Sequence, residues 1–142
     1  MGYDDWVDLH MTDALPGLPI QVKNAELQWG KFYADGNKDH EITPEQVDST
    51  VLPANSSGPA DVWSCGREDA PSGSEGSFDL IDQNYGNTIC TLEWNCPYEP
   101  GKGNENWVKT TNLDTDYNVT IAGNYHKNKG TLKKVDITVA AA

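Results

Sequence analysis

Apolar and polar residues alternate with a period of two along most of this 142-residue chain, and this alternation restricts what the chain can fold into. In WVDLHM (6–11), Val7, Leu9 and Met11 fall on one face of an extended segment, and the residues between them face the other way. Clusters of turn-forming residues, such as LPGLP (15–19), separate the alternating segments. An amphipathic helix would instead repeat about every 3.6 residues, so the pattern predicts half-buried strands.

The alternating segments predict strands along the whole chain and leave room for one helix. The predicted strands span 6–11, 20–29, 61–65, 77–82, 88–94, 106–111, 117–122 and 131–139. Within 20–29 the apolar phase slips near Lys23 and Asn24, which predicts a β-bulge. The only helical pattern is TPEQVDST (43–50), with Thr43 as N-cap and Pro44 in the first helical position. Short strands at this spacing predict an all-β sandwich or barrel.

The net charge of −12 excludes several classes of partner. Binding to nucleic acid needs clustered cations against the phosphates, whereas this chain has one arginine, Arg67, among only 10 basic residues. Attraction to an anionic bilayer is disfavoured for the same reason. No stretch is long and apolar enough for a transmembrane helix, and the first residues lack the pattern of a classical signal peptide. Any membrane binding is therefore expected to use aromatic rings or recognition of a particular head group.

The sequence shows no catalytic constellation, and no cofactor is expected. None of the three histidines stands in a recognisable arrangement with a serine or cysteine nucleophile. The cysteines, Cys65, Cys90 and Cys96, are odd in number and lack CxxC spacing, which favours buried thiols over a zinc site. One disulfide stays open as an alternative. Arg67 is predicted either to anchor its glycine-rich loop or to contact a phosphate head group.

The stretch ADGNKDHEITPEQ (34–46) has the rhythm of a calcium-binding loop but fails its requirements. Counted from Asp35, the sixth position is His40 where an EF-hand needs glycine, and the twelfth is Gln46 where it needs glutamate. Glu45 comes one place early. The residues before the loop predict a strand that runs into a turn, and an EF-hand needs a helix there. No metal site is predicted.

Several aromatic residues stand where rings at a membrane–water interface are expected. Trp6 lies on the polar face of its predicted strand, and Trp29 lies where a strand runs into a turn. Trp94 is predicted to end a strand, and Tyr98 follows in the next turn. Amphipathic rings at strand ends suit a surface where one side is apolar and the other wet. Core packing is the alternative for each of them taken singly.

Four blocks of the sequence resemble the aegerolysin family. They are YDDWV (3–7), WGKFYADGNKDHEI (29–42), SCGREDAPSGSEGSFDLID (64–82) and LEWNCPYEPG (92–101). They occur in the family's order and spacing and cover most of the chain. The resemblance implies one domain, residues 1–142, folded as an antiparallel β-sandwich with at most one short helix and no enzymatic activity.

The resemblance also implies a function at membranes. Family members bind sphingolipids, notably ceramide phosphoethanolamine, or sphingomyelin in cholesterol-rich membranes. Many recruit a larger partner of the membrane-attack-complex/perforin (MACPF) class to build a pore, as haemolysins or as halves of bacterial insecticidal toxins. The protein is then expected to be secreted, or released without a classical signal peptide, and to act at the target-cell membrane. A soluble glycan-binding β-sandwich is the alternative.

Residue by residue, the resemblance assigns a set of lipid-binding positions. Trp6 and Trp29 match membrane-facing tryptophans of the family, and Trp94 matches the tryptophan before the cysteine. Tyr98 stands where many members carry tryptophan. Tyr3 belongs to the N-terminal Y-x-x-W block.

Two further positions bear on the lipid that is chosen. Ser72 replaces a glutamate that family members use to sort sphingolipids, and Lys102 lies near a lysine that some members hold beside the head group. The carboxylates of Asp4, Asp5 and Asp8 around Trp6 are a departure from relatives. A carboxylate cluster there favours a head group with an amine over one with choline.

Overall fold

The computed structural model describes residues 1–142 and consists of two β-sheets, which enclose a common core. The elements are β1 (Trp6–Asp13), β2 (Ile20–Trp29), β3 (Lys31–Ala34), β4 (Asn37–Ile42), α1 (Pro44–Val47), β5 (Val51–Leu52), β6 (Ala60–Cys65), β7 (Ser74–Asp82), β8 (Thr88–Cys96), β9 (Trp107–Thr111), β10 (Tyr117–Gly123) and β11 (Lys133–Ala141). One sheet has six strands in the order β10-β11-β1-β6-β3-β4, and the other has five in the order β5-β2-β7-β8-β9. The all-β sandwich is confirmed.

The core forms because alternate residues of the central strands turn inward from both sheets. In β1, Val7, Leu9 and Met11 are fully buried, while the residues between them are only half-buried. In β7, Phe78 and Leu80 are buried in the same alternation from the facing sheet. These side chains belong to one apolar cluster of 22 buried residues. Removing so much apolar surface from water is the main stabilising term of a fold like this one.

One strand pair departs from the antiparallel pattern. β1 pairs with β11 in parallel, with Val7 opposite Lys133 and Asp13 opposite Val139. On its other side β1 pairs antiparallel with β6. The first and last strands of the chain are therefore neighbours in the middle of the larger sheet. Because parallel strands need a long connection, this pairing is possible only between strands far apart in sequence.

The predicted bulge in β2 is confirmed. The register against β7 breaks between Lys23 and Glu26, and Asn24 has a φ of 56°. Asn24 Nδ2 donates a hydrogen bond of 2.8 Å to Asp79 on β7, which holds the bulge in place. Bulges of this kind bend a strand and re-aim the side chains beyond it.

The stretch around the rejected calcium loop forms a hairpin, which the sequence pattern missed. Strands β3 and β4 are joined by Asp35 and Gly36, whose φ angles of 57° and 67° are those of a tight two-residue turn. β4 reads NKDHEI and lies at the edge of the sheet, so both of its faces are polar and its alternation is hidden. An extended strand cannot wrap around an ion as an EF-hand loop does.

The short helix is confirmed at Pro44–Val47. Gln46 N donates to Thr43 Oγ1 at 3.2 Å, and Thr43 N donates to Gln46 Oε1 at 2.8 Å, which completes a capping box. No helix of the structure is long and apolar enough to cross a bilayer.

All three cysteines are free thiols inside the core. Burial raises the pKa of the Cys65 thiol to about 11 and that of Cys90 to about 12. Because only the thiolate reacts readily, these thiols are inert at neutral pH. The buried-thiol alternative is the one the structure supports.

We predict that Gly76→Ala destabilises the fold. A Cβ at this position of β7 would lie 2.5 Å from the Glu26 carbonyl oxygen and 2.7 Å from Cζ2 of Trp94. Overpacking of this kind costs about 1–3 kcal/mol, which urea denaturation would measure as a lower midpoint. Gly101→Ala is the control, since a Cβ there meets nothing within 4 Å. Equal stability of the two variants would contradict the packing described for β7.

Candidate functional site

A groove opens at one end of the five-stranded sheet, where β2 ends, β7 begins and β8 ends. Its volume is about 520 Å³. We call it the Trp29 groove. The residues that give it its chemistry are Trp29, Ser72, Glu75, Tyr98, Glu99 and Asn104. The structure thus brings together three residues that the sequence assigned to lipid binding, namely Trp29, Ser72 and Tyr98.

Trp29 presents its ring to solvent because of the glycine that follows it. Trp29 is 61% exposed, and Tyr85 is the only other aromatic residue in the exposed class. Gly30 has a φ of 93°, and a Cβ there would lie 2.5 Å from the Cys65 carbonyl oxygen. At Gly30 the chain leaves the five-stranded sheet at the end of β2 and enters the six-stranded sheet as β3. This crossing leaves the Trp29 indole outside the core.

The opposite wall of the groove is fixed by close backbone packing. Gly73 lies so near the end of β8 that a Cβ would overlap the Cys96 carbonyl oxygen. Directly after it, Ser74 is buried, and its Oγ lies 2.6 Å from Ser64 Oγ on the facing sheet. Ser72 is therefore held at the groove by a closely packed segment.

Trp94 is a correction, because it does not reach the surface. Its side chain is fully buried, with its ring centroid 5.9 Å from Phe32 and 5.8 Å from Phe78. The indole N–H donates a 2.9 Å hydrogen bond to Ser74 Oγ. The prediction that Trp94 contacts the membrane is wrong because β8 does not end there. It continues to Cys96, so Trp94 keeps the inward phase of the strand.

The charge of the groove comes from carboxylates alone. Glu75 and Glu99 are among its lining residues, and no lysine or arginine is. Lys102 is exposed in the loop beyond Tyr98, and the structure does not bring it into the groove. Sequence reasoning missed both glutamates, although each stands within a family-like block next to a predicted site residue. A cavity with this lining suits a cationic group.

Tyr3 and Trp6 lie in a second cluster, which also contains Lys31 and Lys38. Lys31 Nζ donates to Tyr3 Oη at 2.6 Å and stands 4.4 Å from the centre of that ring. Lys38 Nζ lies 5.4 Å from the centre of the half-buried Trp6 ring. The two lysines engage the aromatic faces as cation–π pairs. We call these four residues the N-terminal cluster; none of them lines the Trp29 groove.

Arg67 serves as an anchor of its loop, which is one of its two predicted roles. Its guanidinium donates two hydrogen bonds to Glu41 on β4, at 3.0 and 3.1 Å. This fork holds the pKa of Glu41 below its usual range. The Arg67 carbonyl oxygen also accepts a hydrogen bond from Gly2 N. Arg67 thus ties the glycine-rich loop to β4 and to the chain start.

Asp5 is a buried carboxyl beside the N-terminal cluster. It is only 6% exposed, and burial, together with the charge of Asp4, raises its pKa to about 7. Lys38 opposes this shift without cancelling it. Asp5 is therefore largely protonated in the folded protein under mildly acidic conditions.

Comparison with known proteins gives consistent matches over most or nearly all of the chain. The family model described as Aegerolysin matches residues 4–142. Asp-hemolysin from Aspergillus fumigatus is 41% identical, with 96% of this chain and 93% of the relative covered. Aegerolysin Aa-Pri1 from Cyclocybe aegerita is 38% identical over 75% of this chain and 77% of its own. The crystal structure of RahU protein in complex with a TRIS molecule superposes with a TM-score of 0.83 at 34% identity, covering 99% of this chain and 97% of that one.

We predict that Asp5→Asn flattens the dependence of stability on pH. The pKa of Asp5 rises from 3.8 in the unfolded chain to about 7 in the fold, so its favourable contribution is complete below pH 3.8 and is lost as pH rises towards 7. The amide of the Asp5→Asn variant cannot ionise, so the variant does not lose stability in this way as pH rises. Melting temperatures between pH 4 and pH 8 should therefore fall less steeply for Asp5→Asn, and the variant should melt higher than wild type at pH 8.

Asp69→Asn is the matched control, because Asp69 is exposed and its charge is not among the causes of the raised pKa of Asp5. It should leave most of the slope in place. Identical pH profiles for wild type and Asp5→Asn would contradict the raised pKa.

Proposed function

This chain belongs to the aegerolysin family of non-enzymatic, lipid-binding, haemolysin-like proteins, and we propose that it is the sphingolipid-binding component of a pore-forming toxin. In this proposal the Trp29 groove holds the head group of a membrane sphingolipid. The bound protein then recruits a perforin-like partner, which forms the pore in the target-cell membrane. The lipid-binding protein reaches that membrane after secretion or after release by a non-classical route.

The composition of the Trp29 groove carries the proposal. It combines an exposed indole with Tyr98 and two carboxylates. Sphingolipid head groups such as phosphoethanolamine and phosphocholine end in an ammonium, which pairs with carboxylates and with aromatic faces. Amphipathic rings at the rim match the interfacial layer of a bilayer.

The carboxylates further favour ceramide phosphoethanolamine over sphingomyelin. A primary ammonium donates up to three hydrogen bonds, and Glu75 and Glu99 can accept them. A choline ammonium has no N–H and relies on charge and aromatic contact alone. Ser72, which replaces a glutamate of the family pattern, leaves Glu75 and Glu99 as the anionic groups of the groove.

The overall charge agrees with this mode of binding. At −12 the protein is repelled by anionic lipid, so its affinity must come from a zwitterionic head group and a few rings. One or two rings give moderate affinity for a single copy. Several copies held together by a partner gain by avidity, which suits assembly of a pore.

A soluble glycan-binding module is the second candidate. Trp29 and Tyr98 could stack on sugar rings, and the groove also offers Asn95 and Asn104 as hydrogen-bonding groups. A glycan array separates the two candidates. Binding to glycans without binding to sphingolipid vesicles would favour this alternative.

We predict that Trp29→Ala abolishes binding to vesicles that contain ceramide phosphoethanolamine, because it removes the exposed ring of the groove. Sedimentation with these vesicles, compared with plain phosphatidylcholine, measures the effect. Tyr85→Ala is the matched control, since Tyr85 is 80% exposed in the turn between β7 and β8, at the opposite end of these strands. Binding by Trp29→Ala at the wild-type level would remove the groove from the proposal.

We also predict that the double variant Glu75→Gln, Glu99→Gln loses its preference among head groups. Affinity for ceramide phosphoethanolamine should fall about tenfold or more, while affinity for sphingomyelin changes less. Hydrogen bonds to charged groups are worth about 1.5–3 kcal/mol each, which sets this scale. Glu45→Gln on α1 is the control for removal of a surface charge. A preference that survives in the double variant would contradict the assignment of the carboxylates.

A further inference from the structure

Three potential metal ligands lie together on the outer face of the six-stranded sheet. Asp8 and His10 are two residues apart on β1, so both side chains project from the same face. β6 places Asp61 directly opposite His10 in the antiparallel register. All three residues are half-buried. The Trp29 groove is built from strands of the other sheet, so this cluster is separate from it.

The ligand atoms of the three side chains are close enough to share one ion. They all lie within 4.8 Å of one another. His10 Nδ1 lies 2.6 Å from Asp61 Oδ1, a short contact with a proton between the two atoms. Two carboxylates held this close repel each other unless a proton or a cation stands between them.

One atom of the cluster has no partner within the protein. Asp8 Oδ1 is buried and accepts no hydrogen bond. A buried carboxylate oxygen without a partner is costly, and such atoms are rare in folded proteins. His10 and Asp61 are paired with each other, whereas one oxygen of Asp8 is left with this deficit.

We propose that Asp8, His10 and Asp61 form a binding site for a divalent transition metal ion. Zn²⁺ fits this donor set best, because it accepts imidazole nitrogen together with carboxylate oxygen and tolerates three protein ligands with an open fourth position. The ion takes the place of the proton between His10 and Asp61. The two positive charges of the ion are balanced by the carboxylates of Asp8 and Asp61.

The movements that binding requires are small. Metal–ligand distances of about 2.0–2.2 Å place neighbouring tetrahedral ligand atoms about 3.3–3.6 Å apart. His10 Nδ1 and Asp61 Oδ1 must therefore separate slightly from 2.6 Å, and Asp8, whose ligand atom lies within 4.8 Å of both, must adopt the same spacing. These are rotations about side-chain bonds on paired strands and leave the backbone unchanged.

The neighbouring groups frame the site without filling it. On β11, Lys134 lies beside Asp8 and Asp136 beside His10, and both are exposed. On β6, Trp63 stands opposite Asp8. The lysine opposes a cation and the aspartate favours it, so the two flanking charges offset each other.

Titration calorimetry with Zn²⁺ tests the proposal on the intact protein. Wild type should bind one ion per chain. His10→Gln and Asp61→Asn should each bind at least tenfold more weakly, and Asp8→Asn should weaken binding as well. His40→Gln is the matched control, because His40 lies 3.8 Å from Asp35 in an exposed pair that offers only two ligands. Its binding should equal that of wild type.

Two further measurements keep the outcome clear if one variant is unstable. Zn²⁺ should raise the melting temperature of wild type and of His40→Gln but not that of His10→Gln. Co²⁺ should give a visible absorption band typical of a four-coordinate site in wild type and in His40→Gln but not in His10→Gln. Absence of saturable Zn²⁺ binding to wild type, or equal binding by wild type and His10→Gln, would overturn the proposal.

Discussion

The contact on which the rest of this structure depends is the packing of Trp94 between the two sheets. Its indole fills the space between Phe32 from the six-stranded sheet and Phe78 from the five-stranded one. Because an indole N–H cannot be buried unpaired, Ser74 must stand beside it to accept the hydrogen bond. Ser74 in turn lies within hydrogen-bond distance of Ser64 on the other sheet. A polar link therefore joins the layers where the apolar core ends.

This link also lies directly beside the Trp29 groove and helps to position it. Ser74 opens β7 and is preceded by Gly73, whose contact with Cys96 leaves no room for a side chain. Gly30 then carries the chain from one sheet to the other and leaves Trp29 outside. Gly30, Gly73 and the buried Trp94 thus position the groove, and other residues supply its exposed rings and carboxylates. The lipid-binding chemistry we propose relies on this division between scaffold and exposed rings.

Sequence alternation predicted most of this fold because most strands have one dry face and one wet face. It located β1 and the bulge at Lys23 and Asn24, and the capping residues located the helix at Pro44. It failed at β4, since an edge strand with two polar faces carries no alternation. Trp94 was misassigned because it was taken as a strand end, whereas it lies on the same buried face of β8 as Cys90 and Leu92.

The sites were less predictable than the fold because they depend on which strands become neighbours. Family-like blocks identified Trp29 and Tyr98, which the structure places around one groove, but they did not separate these from Trp6 in its own cluster. Asp61 is 51 residues away from His10 in the chain, and only the pairing of β6 with β1 brings them together. Spacing along a sequence carries no information of that kind.

The most direct test of the central claim is the depth of Trp29 in a membrane. Vesicles of ceramide phosphoethanolamine with bromine atoms high on the acyl chains quench tryptophans that lie at the interface. Wild type should lose fluorescence on binding these vesicles, and Trp29→Phe, which keeps an aromatic ring in the groove, should bind with most of that quenching gone. Equal quenching of the two bound proteins, or no quenching of bound wild type, would contradict the account.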